Sequence, residues 1–368
     1  MSLGERLRAK LAEAARTDRG LAAFGARRHR YRLGPPLPEA DLGAWEGEAG
    51  VALPTAYRTF LSQVGHGGAG PYYGLERLPE PPDAARLQAP SLAGDAAACE
   101  AWGEDYARLD GIEDVAASNA LFDRLEATLL GGLLPLCQQG CGHFGALVLT
   151  GPVRGRIAYA TEDFDNPGHT PFVPEEPDFL AWYERWLDEV IDGTLLQDGA
   201  LWFGHLPGGP AETLVARWQG AAPPDRRRLL QGLAQKATLP ATALDALEAG
   251  LEGAAGEERE ALLMVLAKHD VNRVRDRLLS GREGLLPALK AIHWHAKELA
   301  AEAVPLIRRH MAPRPDAETF RFACYAIQTA NDARAARDIV MPVARDAGHP
   351  FAGTARHTLQ TMKLAVPA

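Results

Sequence analysis

The apolar residues of the first 200 positions follow two different spacings. Tyr57, Phe60, Leu61 and Val64 stand at i, i+3, i+4 and i+7, which is the spacing of one buried helix face. A longer stripe with the same period predicts a second helix over 179–191, begun by Pro177 and ended by Gly193. The residues of that stripe are Phe179, Leu180, Tyr183, Trp186, Leu187, Val190 and Ile191.

Between these helices the pattern changes to short apolar runs separated by Gly-rich turns. Such runs predict strands, here over 133–137, 146–150 and 156–161. Residues 79–115 are rich in Pro, Asp and Ala and have no clean period, which predicts a long loop with at most a short helix. Helices on both sides of an antiparallel strand group predict an α+β domain, with a central, mostly antiparallel sheet.

The domain boundaries follow from these changes of pattern. Residues 1–23 predict a leading helix, residues 24–200 the α+β domain, and residues 201–210 a Gly/Pro-rich linker. Residues 211–368 predict an all-α domain, because helical stretches recur there without a convincing strand. They are 211–218, 224–235, 241–251, 257–268, 285–295, 298–310, 316–329, 333–347 and 351–362.

The rhythm of these short helices is typical of antiparallel pairs stacked in a solenoid, similar to HEAT repeats. The period is irregular, so a compact helical bundle remains open.

The net charge of −9 is unevenly distributed. Residues 1–32 carry a balance of +6, residues 33–200 a balance of −19 and residues 201–368 a balance of +4. The acidic block would repel nucleic acid and attract a basic partner, because summed surface charge steers encounters. A merely solubilising acidic surface is the alternative. The short linker and the opposite charges of its flanks predict that the two halves dock.

Other aspects of composition favour a cytoplasmic protein with no membrane partner. Four cysteines among 368 residues cannot form a disulfide framework, which favours a reducing compartment. No apolar stretch approaches the roughly 20 residues that span a bilayer. The N-terminal residues lack the apolar core of a secretory signal.

Seven ordered segments within residues 24–193, just under half of the chain, carry a resemblance to a known family. The segments are 24–37, 46–54, Tyr57-Arg58-Thr59-Phe60-Leu61, Val64-Gly65-His66-Gly67-Gly68, 134–142, Leu147-Val148-Leu149-Thr150-Gly151 and 179–187. Together they resemble the SUKH superfamily, which includes a yeast cell-wall synthesis regulator and many bacterial proteins.

The resemblance implies an α+β fold and a protein-binding role. Many bacterial members of the family are encoded beside polymorphic toxins and are thought to be immunity proteins, often against nucleases. The family has no agreed catalytic residues, so the resemblance transfers none. It does not extend to the helical half of the chain.

The motifs that would indicate an enzyme or a cofactor site are absent, incomplete or flanked by the wrong structural elements. Two G-x-G-x-x-G matches, at 65–70 and 140–145, do not stand between a strand and a helix, as dinucleotide binding requires. Cys137-x3-Cys141-x-His143 lacks the second ligand pair of a structural zinc site. The chain has no H-E-x-x-H, G-x-S-x-G or Walker motif. We therefore expect no cofactor, no metal and no enzymatic activity, with an unrecognised hydrolase as a remaining alternative.

The sequence favours a protein-binding module whose acidic loops recognise a basic partner, plausibly a toxin nuclease. A regulatory scaffold that binds other cellular proteins is the alternative. Aromatic residues dominate interface hot spots, so two aromatics in the acidic loop are candidate anchors, although the core is the favoured position for either one taken singly. The candidate partner-binding residues are Trp102, Glu104, Asp105, Tyr106, Asp110, Glu113, Asp114, Glu162, Asp163 and Asp165.

Overall fold

The structure is a computed structural model that describes residues 2–80, 82–161, 170–198, 203–311 and 315–365. The chain divides into two compact units, Met1–Gly209 and Pro210–Ala368. Within the described residues, no helix combines the length and the apolar character needed to cross a membrane.

The first unit is an α+β fold in which helices surround a small antiparallel sheet, as the sequence predicts at this level. Its helices are α1 (Leu3–Thr17), α2 (Ala26–His29), α3 (Glu39–Ala49), α4 (Thr55–Gln63), α5 (Ala84–Gln88), α6 (Ala96–Ala107), α7 (Val115–Leu130) and α8 (Phe179–Ile191). Its strands are β1 (Leu133–Gly140), β2 (His143–Val148) and β3 (Ile157–Thr161), and they are hydrogen-bonded in the order β1-β2-β3.

The sheet is covered on both faces. In the antiparallel register, Leu133 lies opposite Val148, and Phe144 lies opposite Ala160. Successive side chains of a strand point to opposite faces. One set, including Leu134, Leu136 and Leu147, joins the main core of the unit. The other set forms a smaller cluster around Phe144. Both faces are therefore buried, which explains the nearly continuous apolar runs in the sequence.

Helix α8 is the centre of the main core, and its bounds confirm the predicted helix over 179–191. Asp178 caps its first turn by accepting a hydrogen bond from the backbone N–H of Ala181 at 2.9 Å. Trp182 and Tyr183 are fully buried. Helix α1 packs on α8, and Lys10 forms ion pairs there with Glu184 at 2.8 Å and Asp188 at 2.6 Å.

The prediction of a long loop over 79–115 is wrong. This segment contains α5, α6 and a 3₁₀ turn at Leu109–Gly111. Helix α6 buries only Trp102, so it has no apolar stripe that a periodicity argument could detect. The helix is begun instead by a polar signal, since the Asp95 side chain accepts a hydrogen bond from Ala98 N at 3.0 Å.

The second unit is all-α in its described residues. Its helices are α9 (Ala211–Gly220), α10 (Pro223–Gln235), α11 (Ala241–Gly250), α12 (Gly256–His269), α13 (Arg275–Ser280), α14 (Leu285–His295), α15 (Ala300–His310), α16 (Ala317–Ala330), α17 (Ala333–Ala335), α18 (Met341–Arg345) and α19 (Ala352–Thr361).

The predicted helices of this half agree with the structure except in two places. Helix α13 was not predicted, because its six residues bury only Leu278. The single helix predicted over 333–347 is interrupted by a π-helical turn at Ala336–Val340. Along the unit, α10, α12, α14 and α16 pack one against the next, with the helices between them on their flanks.

Candidate protein-interaction surface

Residues 95–130 form an antiparallel pair of helices, α6 and α7, joined by the 3₁₀ turn. We term this segment the acidic hairpin. It contains nine Asp and Glu residues and two Arg residues, a net charge of −7. Most of its residues are exposed. Among the acidic segments identified from the sequence, this one therefore has the highest density of negative charge on a single structural element.

A small apolar cluster holds the two helices of the acidic hairpin together. Its buried members are Leu92, Trp102, Leu125 and Leu129. Trp102 is 6% exposed, and the Tyr106 ring stacks on it with centroids 5.3 Å apart. Trp102 thus belongs to the internal core of the hairpin, and half-buried Tyr106 packs beside it. This position corresponds to the core alternative that the sequence left open for these two aromatics.

Two of the candidate acids act within the hairpin itself. Asp105 forms ion pairs with Arg108 at 2.5 Å and with Arg124 at 3.4 Å. Asp114 caps α7 by accepting hydrogen bonds from Ala116 N at 2.9 Å and Ala117 N at 3.3 Å. These carboxylates stabilise the local fold, because an N-cap satisfies backbone donors that would otherwise be unpaired.

Three further candidate acids are displayed to solvent. Glu104, Asp110 and Glu113 are exposed, and Glu104 is only loosely paired with Arg108, at 3.8 Å. They lie on α6, in the 3₁₀ turn and just before α7, so the fold brings them to one hairpin. The remaining three candidates, Glu162, Asp163 and Asp165, lie outside the described residues.

Sequence reasoning missed two exposed apolar side chains on the same hairpin. Val115 is 72% exposed and Phe122 is 36% exposed. They stand seven positions apart on α7, so they share one face of the helix. Leu129 stands a further seven positions along the same face, so the spacing alone indicates one apolar stripe and does not reveal that Val115 and Phe122 are exposed. Exposed apolar residues ringed by charge are typical of interaction surfaces.

The chain segments that flank the acidic hairpin lie side by side. Gly132 N donates a hydrogen bond to Arg86 O at 2.8 Å. A Cβ atom on Gly131 would lie 2.8 Å from Pro90 O, and one on Gly132 would lie 2.7 Å from Ala89 O. Only glycine permits these close approaches. The hairpin is therefore an insertion whose two flanking segments are adjacent in the fold.

The Cys/His segment forms the β1–β2 hairpin. Cys137 is fully buried in β1, and burial raises the pKa of its thiol to about 12. Cys141 is exposed in the turn, where its φ is +51°. Within the described residues, no three His, Cys, Asp or Glu side chains cluster closely enough to hold a metal ion.

Comparisons with protein-family models, curated proteins and solved structures found no match. The chemistry of the surface is therefore the basis for assigning a function. Its main elements are the exposed carboxylates and the two exposed apolar side chains of the acidic hairpin.

Proposed function

We propose that this protein is a non-enzymatic binding module that captures a basic protein through the acidic hairpin. The observation that carries the proposal is the concentration of exposed carboxylates on one element. Glu104, Asp110 and Glu113 face solvent there, and the whole segment carries a net charge of −7.

The electrostatic field of the hairpin would mainly accelerate association. Complementary charge raises the association rate, whereas buried contacts set the dissociation rate. Val115 and Phe122 supply the apolar area that such contacts need. Screening by salt acts over about 8 Å at physiological ionic strength, so the charge contribution should weaken as salt is added.

The kind of partner follows from the resemblance to the SUKH superfamily. The proposal takes the first unit as a SUKH-like domain, and the α+β arrangement of helices and an antiparallel sheet is compatible with it. In the proposal the basic partner is a bacterial toxin domain of the nuclease type, and binding neutralises it in the cytoplasm. We assign the second unit to HEAT-like stacking, supported by the serial packing of α10, α12, α14 and α16.

The test uses the protein encoded beside this gene, produced in a catalytically inactive form. Its affinity for the full chain would be measured by calorimetry at about 50 mM and about 300 mM salt. The hairpin variant carries Glu104→Gln, Asp110→Asn and Glu113→Gln. The matched control carries Glu13→Gln, Glu48→Gln and Glu80→Gln, which removes the same charge from exposed positions elsewhere on the first unit.

The hairpin variant should bind about tenfold more weakly at low salt, and the difference should shrink at high salt. The control should bind within about twofold of the original chain, since the loss depends on location. Absence of binding, or the same loss in both variants, would reject the proposal. Neutralisation is measured separately, with the active toxin and an excess of the full chain, and binding that leaves that toxin active would favour the regulatory scaffold instead.

A further inference from the structure

The first unit also contains two adjoining cavities that no residue of the acidic hairpin lines. One has a volume of about 420 Å³ and is lined by Phe24, Arg27 and neighbouring backbone. The other has a volume of about 210 Å³ and is lined by His29, Glu76 and Gln138. Arg28 and Tyr73 line both cavities. We term the two together the basic cleft.

The larger cavity has an aromatic wall. Tyr73 is 37% exposed, and its ring centroid lies 5.0 Å from that of Phe24. The guanidinium of Arg28 lies 5.9 Å from the Tyr73 centroid. Exposed aromatic rings beside arginine provide stacking surfaces for a planar ligand.

Four arginines in this wall or close to it in the chain carry positive charge that the fold does not neutralise. Arg27, Arg28, Arg30 and Arg32 are all exposed. Across the described residues, none of the four forms an ion pair. A guanidinium matches a phosphate group in geometry and can bind it through two parallel hydrogen bonds. Of the four, Arg27 and Arg28 line the cleft, and they are therefore placed to bind an anionic group of a ligand.

The smaller cavity offers a hydrogen-bonding floor. His29 is 7% exposed, and its Nδ1 accepts a hydrogen bond from Tyr31 N at 3.1 Å. Burial lowers the pKa of His29 to about 4, so the imidazole is neutral at pH 7 and its proton resides on Nε2. Within the described residues this buried Nε2 has no hydrogen-bond partner. Glu76 and Gln138 add an acceptor and an amide to the same cavity.

The backbone around the basic cleft is strained. Arg30, Tyr31 and Tyr72 have φ values of +49°, +55° and +56°, which non-glycine residues rarely adopt. Such conformations persist where the surrounding structure fixes them, and they concentrate at ligand sites. These three residues flank lining residues of the cleft in the chain, so the surrounding structure fixes the backbone beside it.

We propose that the basic cleft binds a mononucleotide. The base would stack on Tyr73 with Phe24 packed beside it, the phosphate would pair with Arg27 and Arg28, and hydroxyl or base-edge groups would bond Glu76 and Gln138. The volume of the larger cavity, about 420 Å³, lies in the range of small-molecule sites. Glu76 disfavours a ligand that is purely anionic. The charge of −19 over residues 33–200 disfavours an extended polynucleotide.

The test measures binding of AMP, GMP, CMP and UMP to the full chain by calorimetry, with adenosine, inorganic phosphate and a single-stranded oligonucleotide as further probes. At least one mononucleotide should bind with a Kd below about 1 mM, and at least about tenfold more tightly than phosphate or nucleoside alone. Arg28→Ala and Tyr73→Ala should each weaken binding about tenfold, and Tyr73→Phe should retain it.

The control variants are Arg19→Ala and Phe122→Ala, which change an exposed arginine and an exposed aromatic outside the cleft. Both should bind as the original chain does. The neutralised hairpin variant should also bind normally, so this inference and the proposed function can fail separately. Absence of mononucleotide binding, equal affinity for phosphate, binding of the oligonucleotide alone, or insensitivity to Arg28→Ala would overturn the inference. Should Tyr73→Ala fail to fold, Arg28→Ala and Arg27→Ala decide the question.

Discussion

Trp102 donates its indole N–H to the backbone oxygen of Leu125 at 2.9 Å, across the two helices of the acidic hairpin. Both residues are buried, in a cluster with only two other buried members. Helices of this length are marginal alone in water, so tertiary packing has to stabilise them. The display of Glu104, Asp110 and Glu113 therefore depends on this one contact more than on any feature of the exposed face.

Trp102→Phe should loosen the acidic hairpin without unfolding the rest of the first unit. The change removes the hydrogen bond and part of the buried volume, a loss of about 1–2 kcal/mol. Hydrogen exchange should accelerate at amides of 95–130 and stay unchanged in the sheet. Val115→Ala is the control, since that side chain is 72% exposed. Equal protection in Trp102→Phe and the original chain would show that the contact is dispensable.

Removal of the acidic hairpin should leave a folded protein. In this variant a short Gly/Ser linker replaces residues 95–129, and Leu92→Ser removes the apolar side chain that the deletion would expose. The variant keeps the contacts of Gly131 and Gly132 with the preceding segment. Closing a short loop between adjacent segments costs little entropy. Circular dichroism should show cooperative thermal unfolding within about 5 °C of the original chain. A molten or aggregated product would mean that the hairpin is needed for folding.

Tyr159→Phe should destabilise the core of the first unit. Trp182 Nε1 donates to Tyr159 Oη at 2.9 Å, and both residues are buried. Without the hydroxyl, the indole N–H stays buried and unpaired, at a cost of about 1–3 kcal/mol. Denaturant titration measures this loss. Tyr73→Phe removes a hydroxyl from an exposed side chain, so it should change the unfolding free energy by less than about 0.5 kcal/mol.

His29 should make the stability of the first unit depend on pH. Burial lowers the pKa of His29 to about 4, whereas an unfolded His titrates near 6.5. Between these values the unfolded chain binds the proton and the folded chain does not. The stabilisation that the neutral His29 gives the folded state is therefore fully present above about pH 6.5. About 3 kcal/mol of unfolding free energy is lost as the pH falls toward 4.

His29→Asn is the matched variant for that effect, because the Asn oxygen can accept the Tyr31 N–H and does not titrate. The free energy of unfolding would be measured for both chains from pH 7 to pH 4. The variant should lose less stability over this range than the original chain. Parallel curves would show that His29 does not cause the dependence.

Periodicity predicts an element when that element buries a stripe. Helix α8 buries seven of its residues and was predicted over its full length. Helix α6 buries one residue, and the sequence pattern predicts a loop in its place. Helix α13, also with one buried residue, was missed for the same reason. A helix that lies mostly in solvent is defined by caps and alanine content, which give a weaker signal than an apolar stripe.

The two surfaces differ in how far a sequence can predict them. The carboxylates of the acidic hairpin are close in the chain, so composition alone located most of them. Tertiary contacts still decided their roles, since Asp105 is ion-paired and Asp114 caps a helix. The basic cleft joins residues near position 28 to Tyr73 and Gln138. No local pattern relates positions so far apart.

The adjacent flanking segments of the acidic hairpin have a consequence for how this protein could change over generations. Substitutions, insertions or exchange of whole segments within 95–130 alter surface charge and shape while the sheet and α8 keep their packing. Specificity for a partner can then diverge quickly, because the packing that stabilises the rest of the unit does not have to change. Related chains should therefore differ most in this segment, and least where Gly131 and Gly132 meet the chain that precedes it.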